Sequence, residues 1–265
     1  MWKKLVDRAA RVRGHVVRMS NQSQTAHLAS ALSVTDILVA SAHYLDLTRE
    51  AAEKPERNRL LLSKGHAVSA LYATLAELDF FPLDRLSQYN QNGSQLPEQP
   101  SPGCLPGVEL ATGSLGHGLP VGLGMALGAR LCQWDSRYLV IMSDGECQEG
   151  SVWEAAMMAP HHGLSNLTTI IDHNKWQATG RTEEVTGLEP LAPKWEAFGW
   201  QTHEVDGHDI SAILQALAEP QDGPKAIVAH TVKGKGVSFM EDDNNWHYRS
   251  PTSEEVDSAE RELGL

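Results

Sequence analysis

The sequence predicts an α/β fold: a parallel sheet with helices on both faces. Three observations carry this. Short bounded apolar runs at 60–62, 138–142, 167–171 and 226–229 have the length of buried strands. Segments with apolar residues at three- and four-residue spacing lie between and around them. The two central runs are separated by a helical segment, 153–162, long enough to return the chain across a sheet, as parallel pairing requires.

The elements follow in order. Leu5, Val12, Val16 and Met19, then Leu28, Leu32, Ile37 and Leu38, give two helices within 1–44, parted by the polar run Ser20-Asn21-Gln22-Ser23-Gln24-Thr25. Leu60-Leu61-Leu62 is the first strand. It ends in Ser63-Lys64-Gly65-His66, and helical spacing resumes over 67–78, so these polar residues sit at a strand-to-helix junction. Four prolines and four glycines over 91–113 predict a long surface loop, a candidate active-site wall. The small residues of 116–128 suit a helix that approaches another backbone closely. The crossover of strands 138–142 and 167–171 comes next, then helix 210–217 and strand 226–229. No repeat, low-complexity segment or linker divides the chain, so one domain over 1–265 is expected.

Composition narrows the function. A hydrophobic content of 41% in 265 residues supports a sizeable core. With 34 acidic against 22 basic residues and no extended Lys/Arg cluster, duplex nucleic acid is not an expected partner. No apolar run approaches the roughly 20 residues of a spanning helix, so no membrane partner is expected. The start, Met1-Trp2-Lys3-Lys4-Leu5-Val6-Asp7-Arg8, has no apolar stretch of a secretion signal behind it, and a cytoplasmic location is expected. Three cysteines without Cys-x-x-Cys spacing argue for reduced thiols.

In open parallel sheets ligands bind beyond the carboxyl ends of the strands. Ser143-Asp144-Gly145-Glu146 follows one central strand, and Asp172-His173-Asn174 follows the next. If those strands are adjacent, Asp144 and Asn174 converge as a carboxylate and an amide oxygen. Such a pair suits Mg²⁺, which takes hard oxygen ligands and shares its shell with a substrate's phosphates. Gly145 would let backbone approach the anion. Taken singly, Asp-Gly is more often a turn and Asn a cap; their joint placement across one crossover is the informative feature.

That combination is the pattern of the thiamine-diphosphate-binding fold, and the sequence resembles transketolase, in its N-terminal, diphosphate-binding half as found in split enzymes. The resemblance rests on Leu62-Ser63-Lys64-Gly65-His66-Ala67, Pro106-Gly107-Val108-Glu109, Thr112-Gly113-Ser114-Leu115-Gly116, Asp144-Gly145-Glu146 with Gln148-Glu149-Gly150, and Trp153-Glu154-Ala155-Ala156. It continues through Phe198-Gly199-Trp200, Val205-Asp206-Gly207-His208-Asp209 and Thr231-Val232-Lys233-Gly234-Lys235-Gly236, and so spans nearly the whole chain.

The resemblance implies thiamine diphosphate and Mg²⁺ as cofactors. It implies Asp144, Asn174 and the Trp176 carbonyl as metal ligands, and Gly145, Glu146 and His247 near the diphosphate with Lys64 and Lys233 lending charge. Gly113, Ser114 and Leu115 would lie against the aminopyrimidine. His27, His66 and His247 would line the substrate channel and assist proton transfers, since imidazole titrates near neutrality. Glu149 and Glu154 would form a proton relay at a subunit interface. His43, His161, His162 and His203 read as structural.

By the same resemblance the glutamate that activates the cofactor lies on a second, pyrimidine-binding domain. A chain of this length stops short of one, so a C-terminal partner subunit, in an α₂β₂ assembly, is expected to complete the site. Three departures stand out. Glu98-Gln99-Pro100 falls where the family has Gly-His-Pro, which puts Gln99 in place of a histidine that touches the donor sugar; Ala26 precedes His27; and His117 and Ser143 replace a common glutamine and glycine. Glutamine can hydrogen-bond but cannot become a cation. The expected activity is transfer of a two-carbon ketol unit from a ketose to an aldehyde acceptor. The alternative raised by Gln99 is a decarboxylating transferase acting on a pyruvate-type 2-oxoacid, which has no terminal hydroxyl to hold. A non-catalytic scaffold fits less well, since it needs neither metal ligands nor channel histidines.

Overall fold

The structure, a computed structural model, describes residues 2–101 and 103–265. Its five strands are β1 (Arg59–Leu62), β2 (Tyr138–Ser143), β3 (Leu167–His173), β4 (Gln201–Asp206) and β5 (Lys225–His230). They form one sheet in the order β1-β2-β3-β5-β4, parallel throughout. The helices are α1 (Trp2–Ser23), α2 (Leu28–Tyr44), α3 (Val68–Ala76), α4 (Gly118–Leu131), α5 (Gly150–His161), the short α6 (Thr182–Val185), α7 (Leu191–Ala197), α8 (Ile210–Ala218) and α9 (Ser253–Leu263).

Side-chain alternation along the strands makes two cores. Leu139, Ile141, Ile170, Ile227 and Ala229 face the layer of α1, α2, α3 and α8, against which α9 packs. Tyr138, Val140, Met142, Ile171 and Val228 face α4, α5 and α7. Because side chains point to opposite faces with a period of two, strands covered on both sides read as the continuous apolar runs seen in the sequence. Helix α2 is buried from Leu28 to Ala42, which explains why its apolar residues surround it instead of forming a stripe.

The structure corrects several boundaries and adds elements. Helix α1 continues through Ser23, and the break falls at Gln24 and His27, whose φ angles of 53° and 69° are left-handed. Strand β3 extends over Asp172 and His173, so Asn174 is the first residue past its end. Strand β4, with α6, α7 and α9, is absent from the sequence reading. The residues of β4 are Gln-Thr-His-Glu-Val-Asp, an edge strand with no apolar run to mark it. Among the described residues no helix is long and apolar enough to cross a membrane.

Candidate functional site

The carboxyl ends of β2 and β3 lie side by side, with Ser143 in register with Asp172. Asp144 and Asn174 follow directly. Asp144 is fully buried. Its carboxylate accepts from the Gly145 N–H at 2.8 Å, and from the Lys175 N–H and the Thr182 hydroxyl, each at 2.9 Å. Burial pushes its pKa up to about 6, against the Thr182 and Gly145 bonds that favour the charged form. Asn174 Oδ1 accepts from the Trp176 N–H at 3.0 Å, which the left-handed φ of 67° at Lys175 makes possible. Asp144 and Asn174 thus follow neighbouring strand ends, and Asp144 is held by a threonine that sequence spacing did not signal.

Two ammonium groups lie under the same cavity, and they differ. Lys64 Nζ donates to Asp172 Oδ2 at 2.6 Å, both side chains being fully buried. Ser33 donates to the same oxygen at 2.7 Å, and Thr231 donates to the other. Burial alone would raise the Asp172 pKa, but the Lys64 charge and these bonds hold it below the usual carboxylate value. The Lys64 charge is thus matched inside the protein. Lys233 is equally buried but bonds only to neutral groups, Asn244 Oδ1 at 2.7 Å and His247 Nδ1 at 3.1 Å. Burial and the nearby Lys64 push its pKa down to about 8.

Beside these groups opens a cavity of about 290 Å³. His27, His66 and His247 line it, with ring centroids 5.4, 5.0 and 6.1 Å apart. Because Lys233 can only donate, His247 Nδ1 accepts and its ring proton sits on Nε2. Burial, then Lys233, drives His247 down to about 3, and burial with Lys64 drives His66 well below its ordinary value. Burial also lowers His27, although Glu98 opposes it. All three rings are neutral at neutral pH. The Nδ1 of His27 stands 3.6 Å from Glu98 without a hydrogen bond, and the Nε2 of Gln177 is likewise unpaired. His27 and Gln177 are both in the cavity wall.

Gln99, Gly113, Leu115, Gly145, Asn174 and Trp176 also line the cavity. Gly113 has φ 142°, and a Cβ there would stand 2.6 Å from Gln99 Oε1, so a bare backbone lets Gln99 lie over the loop. Glu146 does not line it. This buried carboxylate accepts from the Ser63 hydroxyl, from the Gly116 N–H at 2.9 Å and from the Ser143 N–H at 3.3 Å. It ties β1, β2 and the start of α4 together, which corrects its placement beside a cofactor. Ser114 is exposed beside the cavity and does not line it. Glu149 and Glu154 are exposed at the start of α5 and do not form a buried pair in the chain alone. Sequence reasoning missed Asp172, Thr182, Asn244 and Gln177; of these only Asp172 carried a signal, as a carboxylate at the end of an apolar strand.

The arrangement suits a divalent cation joined to an anionic ligand. Among the described residues Asp144 has no cation in contact and Lys233 no carboxylate; neither lines the cavity itself, but Asp144 adjoins the lining residue Gly145 and Lys233 bonds the lining residue His247. Among the described residues no three His, Cys, Asp or Glu side chains converge on a point. A cation held here would use the Asp144 carboxylate, the Asn174 amide oxygen, the Trp176 carbonyl and oxygens of its ligand, a hard donor set of the Mg²⁺ type.

Comparisons with known proteins identify the family. Residues 6–265 match the family model "Transketolase, thiamine diphosphate binding domain". An apulose-4-phosphate transketolase subunit from Actinobacillus succinogenes is 40% identical over 252 residues, covering 94% of this chain and 91% of that protein. The 6-deoxy-6-sulfo-D-fructose transketolase subunit SqwG of Clostridium sp. is 39% identical over 243 residues, covering 89% and 88%. The transketolase structure from Campylobacter jejuni superposes with a TM-score of 0.93 at 28% identity, over 99% of this chain and 43% of that one. The chain belongs to the transketolase family, as a transketolase-type transferase of the N-terminal, thiamine-diphosphate-binding kind found in split enzymes.

Proposed function

We propose that the chain binds thiamine diphosphate with Mg²⁺ and, with a C-terminal pyrimidine-binding subunit that supplies the activating glutamate, transfers a two-carbon ketol unit from a ketose to an aldehyde acceptor. The observation that carries this reading is the pair of buried charges, Asp144 and Lys233, without a countercharge in contact and each bonded to a residue that lines one histidine-rich cavity, Gly145 and His247. When bound, thiamine diphosphate supplies the electron sink for cleaving the bond beside a ketone. Asp144, Asn174 and the Trp176 carbonyl would hold the cation, while Lys233 and the Nε2–H of His247 would face the diphosphate. Gly113 and Leu115, with Ser114 beside them, would lie against the ring. His27 and His66, neutral and close together, can donate or accept at the oxygens of a bound sugar. Gln99, lying over Gly113, can donate a hydrogen bond to a donor hydroxyl.

Two findings support a two-subunit enzyme. Three relatives that this chain covers to 88–91% of their length are named as subunits. Helix α5, which carries the exposed Glu149 at its start and Glu154 beyond, also exposes Met157 and Met158, whose burial would favour association. We read Glu149 and Glu154 as the relay at that interface and α₂β₂ as the assembly. The ketose-named relatives favour a ketose over the pyruvate-type donor.

Calorimetry of thiamine diphosphate binding with and without Mg²⁺ tests the site. Asp144→Ala should abolish Mg²⁺-dependent binding while the circular dichroism spectrum is unchanged; a folded variant with full affinity would refute the assignment. For the reaction, the chain co-purified with its partner should consume a ketose phosphate in the presence of an aldehyde, whereas pyruvate consumption with CO₂ release would replace the ketol reading by the decarboxylating one.

A further inference from the structure

We propose that His173 and His230 form a second metal site, for one divalent cation of the Zn²⁺ class. They are the last residues of β3 and β5 and stand in register, so their rings project side by side from the same face. Their Nδ1 atoms face each other at 3.2 Å. On the far side of each ring a carboxylate waits: Glu189 Oε1 lies 3.0 Å from His173 Nε2, and Glu204 Oε2 lies 2.8 Å from His230 Nε2.

The carboxylates fix the tautomers. An ionised carboxylate only accepts, so each Nε2 carries a proton, and a metal ion displacing any proton held between the rings would meet two Nδ1 lone pairs. Two lone pairs at that separation repel unless a positive centre lies between them. A Zn²⁺ ion about 2.05 Å from each nitrogen would subtend an angle of about 100°, near tetrahedral. Carboxylates bonded to the outer nitrogens are the usual support for metal-ligating histidines, and here they also bring the two negative charges that a dication needs.

Paired imidazoles select Zn²⁺, Ni²⁺ or Cu²⁺ over Mg²⁺, so this site would not compete for the cation proposed at Asp144. The remaining positions would be taken by water. His173 borders an open hollow of about 640 Å³, also lined by Lys175, Thr182 and Glu183, which gives an entry path. A bound ion would pin the end of β3 immediately before Asn174.

The test is a titration of the full chain with Zn²⁺ against a chromophoric chelator in excess Mg²⁺. Wild type should bind one equivalent more than His230→Gln, and His173→Gln should lose the same equivalent. Glu204 is an exposed side chain whose replacement leaves the fold intact; Glu204→Gln should keep the stoichiometry and weaken this equivalent by about tenfold. Zn²⁺ should raise the melting temperature of wild type more than that of His230→Gln. Equal stoichiometry and affinity in wild type and His230→Gln, or unchanged affinity in Glu204→Gln, would overturn the proposal and leave the gap to a shared proton.

Discussion

On the proposed function, the proton on Lys233 decides how tightly the chain holds thiamine diphosphate above neutral pH. In the free chain, burial and the repulsion of Lys64 place the Lys233 pKa at about 8, while Asp144 and Asp172 pull the other way. Its contacts, Asn244 and His247, are neutral and lend it no charge. A diphosphate beside it favours the ammonium and raises that pKa toward the ordinary value of 10.5. Binding is then full strength below the free-chain pKa and weakens about tenfold per pH unit above it. From about pH 7 to about pH 9 the charged fraction of free Lys233 falls roughly tenfold, a loss of about 1.4 kcal/mol in binding. Titrations at saturating Mg²⁺, followed by the fluorescence of Trp176 in the cavity wall, read this directly. Lys233→Met should bind weakly with no such slope, and Lys233→Arg should bind with a flat profile because guanidinium keeps its proton. A flat wild-type profile, or the same slope in Lys233→Met, would refute the reasoning.

The matched pair behaves differently. Asp172→Asn or Lys64→Met alone strands a buried charge and should cost about 3–5 kcal/mol in urea denaturation, while the double variant should cost less than either; additive losses would show that the two charges do not compensate each other. Glu77, bonded by Arg11 at 2.8 Å and His15 at 3.0 Å, is held at about 2 by these partners although burial opposes them. Its folded pKa is depressed, so its stabilisation is present above pH 4.5 and is lost as pH falls toward 2; the difference between wild type and Glu77→Gln should shrink from about 2 kcal/mol to nothing over that window. Gly65→Ala would place a Cβ 2.6 Å from the Thr112 carbonyl oxygen, which cannot move without shifting the loop that carries Gly113 and Leu115. It should cost about 1–3 kcal/mol and weaken cofactor binding as well, whereas a change in neither would show that the loop is free to give.

What was legible in the sequence was what burial and spacing dictate. Strands covered on both faces need continuous apolar runs, so four of the five strands announced themselves, and the residues after β2 and β3 could be paired before any geometry was known. The edge strand β4 is half-exposed and polar, and its pattern is indistinguishable from a loop. Within the site, side chains attached to motif positions were legible and their partners were not. Thr182 reaches Asp144 across 38 positions and Thr231 reaches Asp172 across 59, contacts that only the closed sheet creates. Glu146 shows the opposite failure. Its motif position suggested a ligand, but its oxygens are occupied by Ser63, Gly116 and Ser143.

Lys64 and Lys233 sit in equally recognisable motifs and are equally buried, yet only one of them has charge to spare. The difference lies in the strand ends. Lys64 follows β1 and points across β2 to Asp172 of β3, so the sheet supplies its counterion. Lys233 follows β5, where its contacts are an amide and an imidazole. With Thr231, the first pair links the ends of β1, β3 and β5. The second arrangement leaves Lys233 without a countercharge in contact, as Asp144 is. On the proposed function these two groups are matched to the charges of a metal diphosphate and to no particular sugar. Donor choice then falls to the cavity wall, where Gln99 lies on Gly113 and can be exchanged without disturbing either buried charge.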